Sequence, residues 1–159
     1  MKYVEAAKNE SCFLCIGKDE SHDHRSLVVW RGRKSFIIMN RYPYNVGHLM
    51  VVPFRHVGDL TQLVDEERLD MVKNVDLSIM LLRETLKPDG FNIGVNIGKA
   101  AGAGLEGHVH VHVVPRWFGD TNFMPVISQV KVIPELLETT YSKLREAVSK
   151  RLKGDTAVV

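Results

Sequence analysis

The strongest structural constraint in this chain is a strict alternation of histidine and valine in residues 107–116, which read GHVHVHVVPR. His108, His110 and His112 occupy every second position of this stretch. Successive side chains of a β-strand point to opposite faces, so the pattern predicts a strand over 107–115 with its histidines on one face. The valine face is expected to pack into the core. The histidine face needs hydrogen-bond partners or a ligand, because buried imidazoles are costly without them.

The apolar pattern elsewhere predicts four more strands and two helices. The expected strands are residues 26–32, 34–40, 48–53 and 91–98. A long helix is expected over 65–86, because apolar side chains recur there every three or four residues. They are Leu69, Val72, Val75, Ile79, Leu82 and Leu86, and Leu137, Tyr141, Leu144, Val148 and Leu152 mark a C-terminal helix. These elements predict an α+β fold, with a five-stranded, mainly antiparallel sheet covered by the long central helix and the C-terminal helix.

Composition limits the class of protein. With 159 residues, 45% of them hydrophobic, the chain suits a single domain, expected over residues 1–153 with a flexible tail at 154–159. The net charge is only +2 and no basic run is present, so nucleic acid is not an expected partner. No apolar stretch reaches the ~20 residues of a membrane span. The polar N-terminus, MKYVEAAKNE, does not resemble a signal peptide, so a cytoplasmic location is the default expectation.

Three interpretations of the histidine row are open on residue chemistry alone. An exposed polar face is one, although serine or lysine would serve it equally well. A second is a metal site made by two or three of the histidines. A third is a phosphate site in which one neutral imidazole attacks phosphorus. In that case the glycine-rich loop 99–107 would offer backbone N–H groups, and Lys99 or Arg116 would add positive charge.

The two cysteines, Cys12 and Cys15, form a C-x2-C pair. In a reducing compartment such a pair is more often metal-binding or redox-active than a structural disulfide. The spacing supplies half of a tetrahedral site but does not select the other two ligands.

The stretch HVHVHVV resembles the histidine triad, the motif of a superfamily of nucleotide hydrolases and transferases (HIT). Residues 37–57, IIMNRYPYNVGHLMVVPFRHV, resemble that family's N-terminal segment. Residues 112–126, HVVPRWFGDTNFMPV, are similar to the branch that contains diadenosine tetraphosphate phosphorylases and dinucleoside polyphosphate hydrolases. The resemblance implies a homodimeric enzyme that cleaves diadenosine tri- or tetraphosphate through a covalent nucleotidyl-histidine, released by water or phosphate. Its alternatives are an adenosine monophosphate phosphoramidase and a zinc-bearing nucleotide-binding module with little turnover.

The same resemblance implies a role for individual residues. His110 would attack the α-phosphorus, His112 would hydrogen-bond the phosphate or the bridging oxygen, and His48 would support the triad from the neighbouring strand. The residues implied in substrate binding are Asn40 at the ribose, Asn96 and Gly104 at the phosphates, and Phe13 and Ile38 at the base.

For the metal, the resemblance implies His56 and the first triad histidine, His108, as the partners of Cys12 and Cys15. The site would be a closed, structural Cys2His2 zinc centre, with a metal-free cysteine pair as the alternative. His22 and His24 are rival ligands that match nothing in the family pattern, so we expect them to be loop residues.

Two features are left open. Residues 104–107 read GLEG, where family members commonly carry a serine or glutamine that reaches the phosphates. Either backbone N–H groups of the loop replace that side chain, or stabilisation of the transition state at the phosphate is weaker. Trp117 is a candidate lid or base-stacking residue, and equally a candidate wedge against a helix or a dimer partner.

Overall fold

The computed structural model describes residues 12–120 and 135–155 and confirms the expected α+β fold. Its strands are β1 (Val28–Arg31), β2 (Ser35–Met39), β3 (Leu49–Pro53), β4 (Gly90–Val95) and β5 (Val111–Arg116). Its helices are α1 (Asp23–Ser26), α2 (Asp65–Leu86) and α3 (Leu137–Asp155). All neighbouring strands pair antiparallel in the order β1-β2-β3-β5-β4, which leaves β4 at one edge of the sheet.

The histidine strand begins later than the sequence pattern indicated. We expected it over 107–115, but β5 starts at Val111, so His108 and His110 precede the ladder. The reason lies in the backbone pairing of the preceding segment. The last ladder pair with β3 is Val51 with Val111, and the N–H of Val109 donates to the carbonyl of Val57 at 2.7 Å instead.

The side chains also alternate between the two faces in the segment before β5. Val109 and Val113 are buried in the main core, and Val111 packs against it, as expected for the valine face. This core lies between the sheet and helices α2 and α3. The opposite face of the sheet carries a second, smaller core cluster that includes Ile38 and Met50. The histidines therefore lie on the face that the helices do not cover.

Helix α2 has the expected bounds, but the prediction of its buried face was partly wrong. Leu69 and Val72 are 56% and 58% exposed, whereas Met71 and Leu81 are buried. Polar side chains share the buried face, which apolar periodicity cannot indicate: Asn74 donates to the hydroxyl of Ser35 at 2.7 Å, and Ser78 donates to the carbonyl of Asn74 at 2.7 Å.

Helix α3 extends to Asp155, two residues into the expected tail, and residues 156–159 lie outside the described part of the chain. No helix within the described ranges is both long and apolar enough to cross a membrane.

We predict that Gly47→Ala destabilises the fold by about 1–3 kcal/mol. Gly47 has a φ of +75°, and a Cβ there would lie 2.5 Å from the Cδ1 of Leu86. Denaturant unfolding measures the change. Gly90→Ala is the matched control, because nothing lies within 4 Å of a Cβ at that position. An equal loss of stability in both variants would contradict this account of the turn.

Candidate active site and metal centre

The pairing of β3 with β5 brings two distant histidines into contact. Met50 pairs with His112, and His48 lies one residue before β3. The Nε2 of His48 is 3.0 Å from the Nδ1 of His112, and both side chains are buried. A hydrogen bond between two neutral imidazoles needs one protonated and one bare nitrogen, so the two tautomers are coupled.

Backbone contacts set the direction of that hydrogen bond. The N–H of Tyr44 donates to the Nδ1 of His48 at 3.1 Å, so this nitrogen is bare and the Nε2 of His48 carries the proton. His48 therefore donates to the Nδ1 of His112. The Nε2 of a neutral His112 then carries a proton and is available as a donor. The pKa of His112 is lowered to about 4, mainly by burial and to a smaller extent by the charge of His110. The side chain is therefore neutral at pH 7.

His110 has the opposite polarity. Its Nδ1 lies 2.9 Å from the backbone carbonyl of His108, which can only accept, so Nδ1 carries the proton. The Nε2 lone pair is then free for nucleophilic attack. The ring of His110 lies 4.7 Å from the ring of His112 at 77°, so a free lone pair stands beside a hydrogen-bond donor.

The sheet leaves room beside these two rings. Gly94 of β4 pairs with His112, and nothing lies within 4 Å of a Cβ at that position. Asn96 follows Val95, which pairs with Val111, so a continued register would place Asn96 beside His110. Gly104 is exposed in the loop that leads to His108. This side of the triad can therefore accept a group of substantial size.

The other expected binding residues lie at different depths. Asn40 is at the triad, with its Nδ2 3.4 Å from the Nδ1 of His48, but its Oδ1 accepts the N–H of Tyr42 at 2.9 Å. Only part of its hydrogen-bonding capacity is left for a ligand. Ile38 is buried in the smaller core cluster, and Phe13 is 60% exposed in the loop between the two cysteines.

Four residues expected at a metal site converge in space. The Sγ of Cys15 lies 3.1 Å from the Nδ1 of His56 and 3.6 Å from the Nδ1 of His108, and the Sγ of Cys12 lies 3.5 Å from the same His108 nitrogen. All four donor atoms lie within 4.8 Å of one another, so the group could hold a metal ion. In a tetrahedral zinc site, Zn–S bonds of about 2.3 Å and Zn–N bonds of about 2.0 Å place neighbouring S and N atoms about 3.5 Å apart.

Protonation also suits these residues to a metal. The Nε2–H of His108 donates to the carbonyl of Pro53 at 2.8 Å, which turns a bare Nδ1 toward the sulfurs. Burial lowers the pKa of His108 and favours its neutral form. Burial also raises the pKa of the Cys15 thiol to about 11, with a further contribution from Cys12, so the Cys15 thiol is poorly suited to ionise without a cation.

The rival ligands lie elsewhere. His22 contacts Ser21 and Asp19, while His24 contacts Glu138 and Tyr141. Neither is part of the group that could hold a metal, as expected, but the prediction that they are loop residues was wrong: His22 ends a short 3-10 helix (Glu20–His22) and His24 lies in α1.

Arg116 and Lys99, the two cations expected near a phosphate site, differ in their surroundings. Its guanidinium forms two 2.6 Å hydrogen bonds with Asp120 and a third with Asn92, so it is committed to the turn after β5. Lys99 is exposed and lies 3.9 Å from Glu106. Trp117 belongs to the same turn, where its N–H donates to Asp120.

Sequence reasoning missed Tyr44. Its ring lies 4.8 Å from the ring of His48 and 5.7 Å from that of His112. The one available signal was its position in the turn RYPYNVG, four residues before His48.

Both the sequence and the fold of this chain are similar to those of known proteins. A model of the HIT domain family matches residues 21–119. The chain is 48% identical over 118 residues to an AP-4-A phosphorylase of Mycobacterium tuberculosis, covering 74% of this chain and only 60% of that relative. It is 34% identical over 92 residues to a bis(5'-adenosyl)-triphosphatase of Dictyostelium discoideum, covering 58% of this chain and 61% of the relative.

Among solved structures, a Zn-bound histidine triad family protein from Mycobacterium smegmatis superposes with a TM-score of 0.68 at 26% identity, covering 91% of this chain and 97% of the other. The family match spans more than half of this chain and contains the whole histidine row. The chain therefore belongs to the HIT domain family.

Proposed function

We propose that this chain is a nucleotidyl hydrolase or transferase that cleaves dinucleoside polyphosphates such as diadenosine tri- and tetraphosphate. The observation that carries the proposal is the free Nε2 of His110 beside the Nε2–H of His112, since one group can attack phosphorus while the other stabilises the leaving oxygen. The names of the mycobacterial and Dictyostelium relatives support the substrate class.

In the first step, the Nε2 lone pair of His110 forms a bond to the α-phosphorus. The bond from phosphorus to the bridging oxygen breaks, and its electron pair leaves with the distal phosphate group as an anion. His112 donates a hydrogen bond to that oxygen, which needs no full proton transfer because a phosphate is a stable anion. The His110 ring becomes positively charged in this step. The carbonyl of His108 stabilises that charge because it accepts the hydrogen bond from the Nδ1–H of His110.

In the second step, water or inorganic phosphate attacks the same phosphorus, and the P–N electron pair returns to His110. Water gives a nucleoside monophosphate and releases a proton to solvent, whereas phosphate gives a nucleoside diphosphate. Two successive displacements through a covalent intermediate are typical of covalent catalysis.

The binding residues support this substrate from both sides of the triad. Asn40 would contact the ribose, and Phe13 and Ile38 would bound the base. Asn96 and the backbone of the Gly104 loop would face the phosphates, where no serine or glutamine side chain is present at 104–107.

We predict that the wild-type protein converts diadenosine tetraphosphate to products that a His110→Ala variant does not form, with a loss of at least about 10³-fold in rate. Chromatography of the products, with and without inorganic phosphate, measures both the rate and the acceptor. Nucleoside diphosphate that appears only with added phosphate would identify phosphorolysis. Lys73→Ala is the control, since Lys73 is exposed on α2, which covers the face of the sheet opposite to the histidines.

Equal substrate consumption by wild type and His110→Ala would contradict the mechanism. Turnover of adenosine phosphoramidate without turnover of dinucleoside polyphosphates would favour the phosphoramidase alternative instead.

We also propose that Cys12, Cys15, His56 and His108 hold a structural Zn²⁺. The donor set is chemically complete and close to tetrahedral spacing, which leaves no open coordination position for catalysis. When bound, the ion would neutralise two thiolates and fix the cysteine loop to His108. Gly107 leaves room for this arrangement, because a Cβ there would lie 3.2 Å from the Nε2 of His56.

We expect elemental analysis of purified protein to find about one zinc per chain, and Cys12→Ser to lose it together with thermal stability. His22→Ala is the matched control, since this histidine lies outside the group and should leave the metal content unchanged. Wild-type protein without zinc, or a Cys12→Ser variant that retains it, would overturn the assignment.

A second copy of this chain is the partner that we propose for the β4 edge. Ile93 of this edge strand is 48% exposed, and Val72 of α2 is exposed as well. With Met71, Val75 and Val95 they line an apolar groove of 410 Å³. Within the described residues β4 pairs only with β5, so its outer edge presents backbone groups that antiparallel pairing of two β4 strands about a twofold axis would satisfy in both copies.

We predict that Ile93→Lys shifts the protein from dimer to monomer in light scattering coupled to size-exclusion chromatography. Leu136→Lys, which replaces an apolar side chain that is 78% exposed just before α3, should leave the mass unchanged. A wild-type monomer, or loss of the dimer in both variants, would contradict a β4 interface.

A further inference from the structure

Tyr44 packs on both histidines of the His48–His112 pair. Its ring is tilted by 33° to His48 and by 37° to His112, at centroid distances of 4.8 and 5.7 Å. Tyr44 is itself 55% exposed, while both histidines beneath it are buried. Tyr44 therefore lies between solvent and the pair, and it contacts the pair through its ring as well as through its N–H.

The neighbouring residue fixes the position of this ring. The Nδ2 of Asn45 donates to the carbonyl of Pro115 at 3.2 Å and to Asp120 at 2.8 Å. Asp120 is in turn held by Arg116 at 2.6 Å. The segment before β3 is thus tied to the end of β5, the strand that carries His112, so Tyr44 and His112 are held by one network.

We propose that the Tyr44 ring is a positioning element of the active site, which holds the His48–His112 pair in its donor geometry and shields it from water. The pair is built from two neutral imidazoles, and protonation of His112 at its Nδ1 would break the hydrogen bond from His48. A tilted aromatic ring packs on both imidazoles at once and replaces water that would stabilise the charged form.

The ring acts on a small set of titratable groups. Among the described residues, those that face His112 are His48 from the residue before β3, His110 from its own segment and Tyr44 from the β2–β3 turn. Burial is the first cause of the lowered pKa of His112, and Tyr44 supplies part of that cover. Removal of the ring should therefore move the titration of His112 toward the ordinary histidine range.

The test is a ¹⁵N NMR titration of the imidazoles in wild type, Tyr44→Phe and Tyr44→Ala. We expect His112 to titrate about one pH unit higher in Tyr44→Ala than in wild type, and Tyr44→Phe to titrate like wild type. Tyr42→Ala is the control, because Tyr42 is exposed two residues away and its contact with Asn40 uses the backbone N–H. If Tyr44→Ala fails to fold, Tyr44→Leu removes the aromatic ring while it keeps an apolar side chain.

A kinetic arm rests on the proposed function. In Tyr44→Ala we expect kcat on diadenosine tetraphosphate to fall about tenfold with little change in KM, because a positioning effect acts on the reaction rather than on binding. The NMR arm needs no turnover, so its result stands even if the substrate class is wrong. Identical His112 titration in wild type, Tyr44→Ala and Tyr44→Leu would overturn the proposal.

Discussion

The hydrogen bond between His48 and His112 is the constraint on which the site depends. It joins residues 64 positions apart in the chain, and it forms because β3 and β5 pair antiparallel in the centre of the sheet. A slip of one residue in this register would turn His112 to the helix-covered face and the valines to the other face. Burial of the valine face therefore favours the observed register over any other. This register keeps His112 on the opposite face of the sheet.

Backbone atoms, which do not depend on side-chain identity, set the polarity of His48, His110 and His108, and the His48 side chain in turn orients His112. The Tyr44 N–H orients His48, and the carbonyls of His108 and Pro53 orient His110 and His108 itself. His108 is the residue that connects the two centres, because its ring faces the cysteines while its carbonyl accepts the proton of His110. A change in the metal-binding group can therefore reach the proposed nucleophile through one residue.

Much of the site could be predicted from the sequence, because its signals are local and periodic. The alternation around His110 indicated a shared face, and the periodicity over 65–86 gave the bounds of α2. The buried face of α2 was harder, since the helix carries more apolar residues than one face can bury, and Leu69 remains exposed. The contact of Tyr44 with the triad depends on how a turn packs against another strand, which no local pattern encodes.

The central claim is that His110 becomes covalently bonded to phosphorus. The most direct test is peptide mapping by mass spectrometry of protein mixed briefly with diadenosine tetraphosphate and denatured under alkaline conditions, where a phosphorus–nitrogen bond to histidine survives. The account predicts a nucleotidyl adduct on the peptide that contains His110, localised to that residue and absent from His110→Ala. An adduct on another residue, or turnover by wild type with no adduct under single-turnover conditions, would contradict it.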